Sequence, residues 1–130
     1  MALAPSQTEI IGSLPASTVG AYEAVIASLE EAKAEEIVTI NIAGKSTIGD
    51  AMIVASGRSH RHVGAIADRL MRDLKTSGHG TPAIEGLPHC DWVLIDTGDL
   101  IIHVFRPEVR EFYSLEKMWS ADMAGAVANA

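Results

Sequence analysis

Apolar residues recur along this chain at two different spacings, and each change of spacing marks a new element. Tyr22, Val25, Ile26 and Leu29 return every three to four residues, one stripe of a helix expected over about residues 18–36. Glu23, Glu30 and Glu31 fall off that stripe, toward solvent. The spacing then drops to two, with Val38, Ile40 and Ile42 alternating with Thr39 and Asn41, as in a half-buried strand. Residues 50–55 (DAMIVA) are nearly all apolar, short and closed by Ser56-Gly57, which suits a central strand covered on both faces.

The helical spacing returns through Val63, Ile66, Ala67, Leu70, Met71 and Leu74, behind Ser59 as N-cap and ahead of Gly78 as stop. A short strand is expected around residues 83–84, then two more at 92–96 and 100–105, joined at Thr97-Gly98 with the glycine supplying a positive φ. Pro107 sits where a last helix would begin, with Val109, Phe112 and Leu115 as its inner face. The order of elements predicts a single-domain α/β fold, a mixed β-sheet of about five strands flanked by helices. The 59–77 helix is long enough to cross over the sheet in the right-handed sense. Residues 1–17 are expected to be a loose leader, 18–120 the domain and 121–130 a loose tail.

Composition narrows the function classes. The 130 residues suffice for one core, and with two Phe, two Tyr and two Trp that core must be mostly aliphatic. A net charge of −7 disfavours non-specific nucleic-acid binding, which needs a basic surface, and suits a basic protein partner. The charge is uneven: six acidic side chains against Lys33 between Glu9 and Glu36, then five basic groups against Asp68 and Asp73 between Arg58 and Lys75. The plain reading is two solvated helix faces. Cys90 is alone, which rules out an intrachain disulfide and fits a reducing compartment. No stretch nears the roughly 20 apolar residues of a membrane span. The first seventeen residues lack the Lys or Arg of a signal or transit peptide, so a cytoplasmic protein is expected.

Candidate chemistry is thin. Gly44-Lys45-Ser46 ends like a phosphate-binding loop, but Thr39 stands where that motif needs glycine, and a strand, not a helix, is expected to follow. Gly57-Arg58-Ser59, with Arg61, lies at a strand-to-helix junction that could hold an anion; ordinary capping is the simpler account. His60 and His62 diverge on a helix, His79 and His89 fall in loops, and no spacing defines a zinc set. His103 is expected to be a paired, partly buried strand residue. Asp96 and Asp99 suit the hairpin turn, and Asp91 flanks the hairpin. No nucleophile is spaced beside a base, so the expectation is no enzyme and no cofactor. Trp92 opens a strand with Leu94 and Asp96 on the same side. It is either an interface anchor or a core tryptophan at the sheet edge, as are the alternatives for Tyr113 and Trp119.

Taken together, the Gly-Lys-Ser turn, SGRSHRHVGAIAD (56–68), Glu85-Gly86, DWVLIDTGDLIIHVF (91–105) and REFYSLEKMW (110–119) resemble the ribosomal silencing factors, the Iojap-like proteins. The similarity runs from about residue 29 to 119. It departs at His60, where the family usually carries a small residue. The resemblance implies a mixed α/β fold distantly similar to nucleotidyltransferases. It implies binding to the large ribosomal subunit, through a ribosomal protein on the intersubunit face, that blocks subunit joining and represses translation when nutrients are short. The contact residues it points to are Trp92, Leu94, Asp96, Asp99 and Tyr113, with Arg61 at the rim; little direct nucleic-acid contact is implied. A homodimer of the free protein is also implied. The rival readings are a nucleotidyltransferase-like enzyme and a dimeric adaptor in ribosome assembly. Against the enzyme, Gly57 is followed by Arg58 where such enzymes carry Ser, and no D-x-D lies on a nearby strand.

Overall fold

A computed structural model of the chain describes residues 14–42, 49–87 and 89–109. Helix α1 (Ala16–Glu31) leads into strand β1 (Glu35–Asn41) and strand β2 (Ala51–Ser56). Helix α2 (His60–Thr76) follows, then strands β3 (Ala83–Glu85), β4 (Trp92–Asp96) and β5 (Leu100–Phe105). The five strands form one mixed sheet in the order β1-β2-β5-β4-β3. Only β2 and β5 run parallel; the other three pairings are antiparallel.

Helix α1 starts two residues earlier than the apolar stripe suggests and ends five residues sooner. At its start the Pro15 carbonyl accepts the N–H of Thr18 at 2.9 Å, so Ala16 and Ser17, expected in the leader, form the first turn. At its end Lys33 adopts φ 66°, while the N–H of Ala34 reaches back to Leu29 O at 2.9 Å and that of Lys33 to Glu30 O at 3.1 Å. That pair of bonds is a Schellman motif built on a residue other than glycine. Glu35 and Glu36 are therefore strand residues, with a bulge between Glu35 and Val38 where Glu36 takes φ 49°. Helix α2 meets expectation at both ends. Ser59 Oγ accepts the His62 N–H at 3.1 Å, and Gly78, at φ 83°, closes a second Schellman motif with His79 N–H on Leu74 O.

Every residue of β2 and β5 is buried. The sheet therefore has two apolar faces. Both helices pack on one of them, placing Val25, Leu29, Ile66 and Leu70 against Ile53, Ile95 and Val104. The opposite face gathers Ile40, Ile42, Met52, Val54 and Phe105, with Val38, Trp92 and Val109 against them. The expected α/β mixed sheet of five strands is thus observed. Residues 107–109 are helical, where the last helix is expected to begin; the rest of that helix, the loop carrying Gly44-Lys45-Ser46 and the expected tail lie outside the described residues.

Candidate partner-docking face

The face opposite the helices presents the hairpin β4–β5. Along β4, Trp92, Leu94 and Asp96 alternate with fully buried Val93 and Ile95. Antiparallel pairing sets Trp92 opposite Phe105, Leu94 opposite His103 and Asp96 opposite Ile101. On the outer side of β4, Glu85 stands opposite Leu94. One row across the sheet thus reads Glu85, Leu94, His103, Val54.

Three rings anchor this face. Trp92 stacks on Phe105 with ring centroids 5.0 Å apart and planes at 29°, and His103 lies over Phe105 at 5.9 Å and 17°. The Trp92 indole N–H donates to His103 Nδ1 at 2.9 Å. Burial lowers the His103 pKa from 6.5 to about 4, so the ring is neutral near neutral pH; since Nδ1 accepts, its proton sits on Nε2. Beside the rings, Glu85, Gly86, Trp92 and Leu94 line an open depression of about 300 Å³. Gly86 shapes its floor: it has φ 94°, and a Cβ there would lie 2.2 Å from the Trp92 carbonyl oxygen. Trp92 is neither wholly core nor wholly exposed. Its ring packs on the second apolar cluster while part of it stays open to solvent.

The turn end of the hairpin has a different chemistry. The link is Gly98-Asp99, one residue beyond the expected Thr97-Gly98; Gly98 has φ 99° and Thr97 N–H bonds Leu100 O at 2.9 Å. Asp96 Oδ1 accepts the Gly98 N–H at 2.7 Å, so part of this carboxylate serves the turn. Asp99 is exposed, and its carbonyl accepts the Asp50 N–H at 2.7 Å, tying the turn to the start of β2.

The structure therefore brings Trp92, Leu94 and Asp96 onto one face, with Asp99 at its turn end. Arg61 is exposed in the first turn of α2, the helix that packs on the other face of the sheet. Tyr113 lies outside the described residues. Glu85, Gly86, His103 and Phe105 join the face, although sequence periodicity gave them no part in it. The β5 alternation places Ile101, His103 and Phe105 on one side, but only the correct hairpin register puts them beside Trp92.

The remaining polar groups act as fasteners. Asp91, just before β4, accepts from His60 Nε2 at 2.6 Å and from Arg106 at 2.9 and 3.1 Å. The His60 hydrogen bond, then that of Arg106, lowers the Asp91 pKa. His60 thus clips the start of α2 to the hairpin. His62 accepts the Arg58 N–H on Nδ1 at 2.9 Å and sets Nε2 on Ala32 O at 2.9 Å, joining the end of α1 to the cap of α2. Arg58 pairs with Glu35 at 3.1 Å and Arg69 with Glu31, so the acidic and basic segments meet each other. Exposed pairs of this kind add little stability. Cys90 is a free thiol whose Sγ donates to Leu87 O. Among the described residues no group of three His, Cys, Asp or Glu side chains is placed to hold a metal ion, and no helix is long and apolar enough to cross a membrane.

Comparison with known proteins identifies the lineage of this architecture. Residues 15–129 match the family described as "Ribosomal silencing factor during starvation". The chain belongs to the ribosomal silencing factor family. The ribosomal silencing factor of Zymomonas mobilis is 56% identical over 92 residues, covering 71% of this chain and 69% of that protein. The one from Haemophilus influenzae is 39% identical, covering 75% of this chain and 96% of its own. A crystal structure of a Chromobacterium violaceum protein superposes with a TM-score of 0.74 at 34% identity, covering 77% of this chain and 83% of that one. More distant relatives include Iojap proteins of Arabidopsis thaliana and a mouse protein named "Mitochondrial assembly of ribosomal large subunit protein 1", 32% identical over 112 residues. Ribosomal silencing factors are named for a regulatory role in translation, not for catalysis.

Proposed function

We propose that this protein binds the large ribosomal subunit through a ribosomal protein on its intersubunit face. Once seated it blocks the small subunit from joining, and translation falls when nutrients are limiting. The observation that carries the reading is the half-open Trp92–Leu94 face, stacked on Phe105 and bordered by the Glu85–Gly86 depression. Aromatic anchors of this kind concentrate binding energy, and about 800 Å² per partner is enough for a specific complex. Asp96, Asp99 and Glu85 ring the apolar patch with negative charge, which favours a basic partner. Tyr113 belongs to the proposed contact set beside the hairpin, and Arg61, in the first turn of α2, adds a polar contact at its rim. Occlusion requires no bond-making chemistry, and the protein acts in the cytoplasm with neither cofactor nor metal.

The decisive experiment is co-sedimentation with separated ribosomal subunits, followed by a subunit-joining assay. The protein should travel with the large subunit and inhibit joining. Trp92→Ala should keep its fold by circular dichroism and lose at least tenfold in affinity, the cost of a hot-spot residue. Full affinity in that variant would remove the site. An assembly role has one specific support, the name of the mouse relative. On that reading depletion would leave immature large subunits even when nutrients are plentiful.

A further inference from the structure

We infer that His103 is a positioning residue of the docking face: its Nδ1 holds the Trp92 indole in the orientation that receives the partner, without touching the partner itself. The inference rests on the docking reading above and concerns how that face is kept ready.

Trp92 is partly open, so its ring has alternatives to the pose observed. Stacking on Phe105 limits the tilt of the ring, but a stacked contact has no donor–acceptor polarity and does not itself aim the N–H. The 2.9 Å bond to His103 Nδ1 supplies that polarity, giving the N–H a fixed acceptor. His103 is itself held: it is 5% exposed, opposed by Leu94 on β4 and Val54 on β2, and stacked over Phe105. With His103 this deeply buried, a partner resting on the face would meet Trp92 and Leu94 first. The bond needs a neutral ring protonated on Nε2; an imidazolium has no acceptor. Among the described residues the charged groups along β3 and β4 on this face are Glu85 and Asp96, with Asp91, Arg106 and His60 clustered at the open end of the hairpin. Burial alone accounts for the lowered pKa of His103, with no contribution from these charges. The neutral state therefore persists across the physiological range. Pre-orienting an anchor spares the complex the cost of ordering it on binding.

The test measures affinity for isolated large ribosomal subunits. His103→Leu keeps the volume and removes the acceptor; it should bind about tenfold more weakly. His103→Asn places an oxygen near the position of Nδ1 and should stay within about threefold of the parent. In a Trp92→Phe background there is no indole N–H to orient, so adding His103→Leu should cost nothing further. An equal loss in both backgrounds would mean a merely structural role, and an unchanged His103→Leu would overturn the inference outright. Should Trp92→Phe bind too weakly to measure, the contrast between Asn and Leu decides. If the Leu variant fails to fold, nitrogen NMR of the parent protein decides. The expected signals are an unprotonated His103 Nδ1 and a hydrogen-bonded indole proton, the latter identified by its loss in Trp92→Phe. A protonated Nδ1 would end the proposal. The failure of the docking reading is separately visible, because Trp92→Ala would then bind normally whatever His103 does.

Discussion

At the scale of single residues, the most consequential group is the buried imidazole of His103. In the unfolded chain it takes up a proton near pH 6.5, while in the folded protein it resists until about pH 4. Between those values the unfolded state binds the extra proton, so stability falls as the pH falls, and below about pH 4 this group adds no further slope. The full loss is about 3 kcal/mol, a large share of the stability of a small domain. Asp91 acts in a more acidic window. Its lowered pKa means that the stability it contributes is present above the ordinary carboxylate range and lost only below it. Urea unfolding at pH 7, 5.5 and 4.5 should show the His103 slope, and His103→Leu should flatten it; parallel slopes in the two proteins would contradict the assignment. Gly86 is the second such residue, since its φ of 94° and the nearness of the Trp92 carbonyl both exclude a side chain. Gly86→Ala should cost about 3 kcal/mol, combining left-handed strain with a backbone clash. A loss below about 1 kcal/mol in thermal or urea melts would show that the β3–β4 link relaxes freely.

At the scale of elements, α1 holds a polar fault in its packed side. Ser28 is 2% exposed and its hydroxyl has no hydrogen-bond partner among the described residues, although neighbouring Leu29 and Val25 are fully buried in the core. Ser28→Ala removes an unpaired polar atom and inserts the best helix former, so stability should rise by about 1 kcal/mol. A clear fall would mean the hydroxyl is satisfied in solution. The elements also show what periodicity carries and what it omits. The stop of α2 was legible because Gly78 occupies the left-handed position; that of α1 was not, because Lys33 takes the same conformation without the signal of a glycine. The alternation of β4 gave the shared side of Trp92, Leu94 and Asp96. It could not give their neighbours, since strand order and hairpin register are long-range choices. A turn centred one residue along moves every cross-strand partner, and so the Trp92–His103–Phe105 stack was out of reach. The resemblance put Arg61 at the rim of the same surface, but which face of the sheet α2 covers is decided by its apolar stripe meeting β2, β4 and β5.

At the scale of the whole molecule, an acidic protein with net charge −7 presents an apolar patch bordered by carboxylates. Much of the basic segment is already neutralised internally, Arg58 by Glu35, Arg69 by Glu31 and Asp73 and Arg72 by Asp68, and beyond it Arg106 pairs with Asp91 and Glu108. What remains to attract a partner from a distance is negative. Such attraction acts mainly before contact, and its range shrinks from about 14 Å at 50 mM salt to about 6 Å at 300 mM. The apolar and aromatic contacts that form afterwards are little affected by salt. Raising the salt over this interval should therefore slow association with a basic ribosomal-protein surface about tenfold and change dissociation far less. Trp92→Ala should do the reverse, leaving the association rate nearly unchanged while dissociation accelerates. Stopped-flow or surface-plasmon measurements against immobilised large subunits separate the two rates. If salt sped dissociation instead, charge pairs would be holding the complex together, and the aromatic stack would lose its place as the anchor.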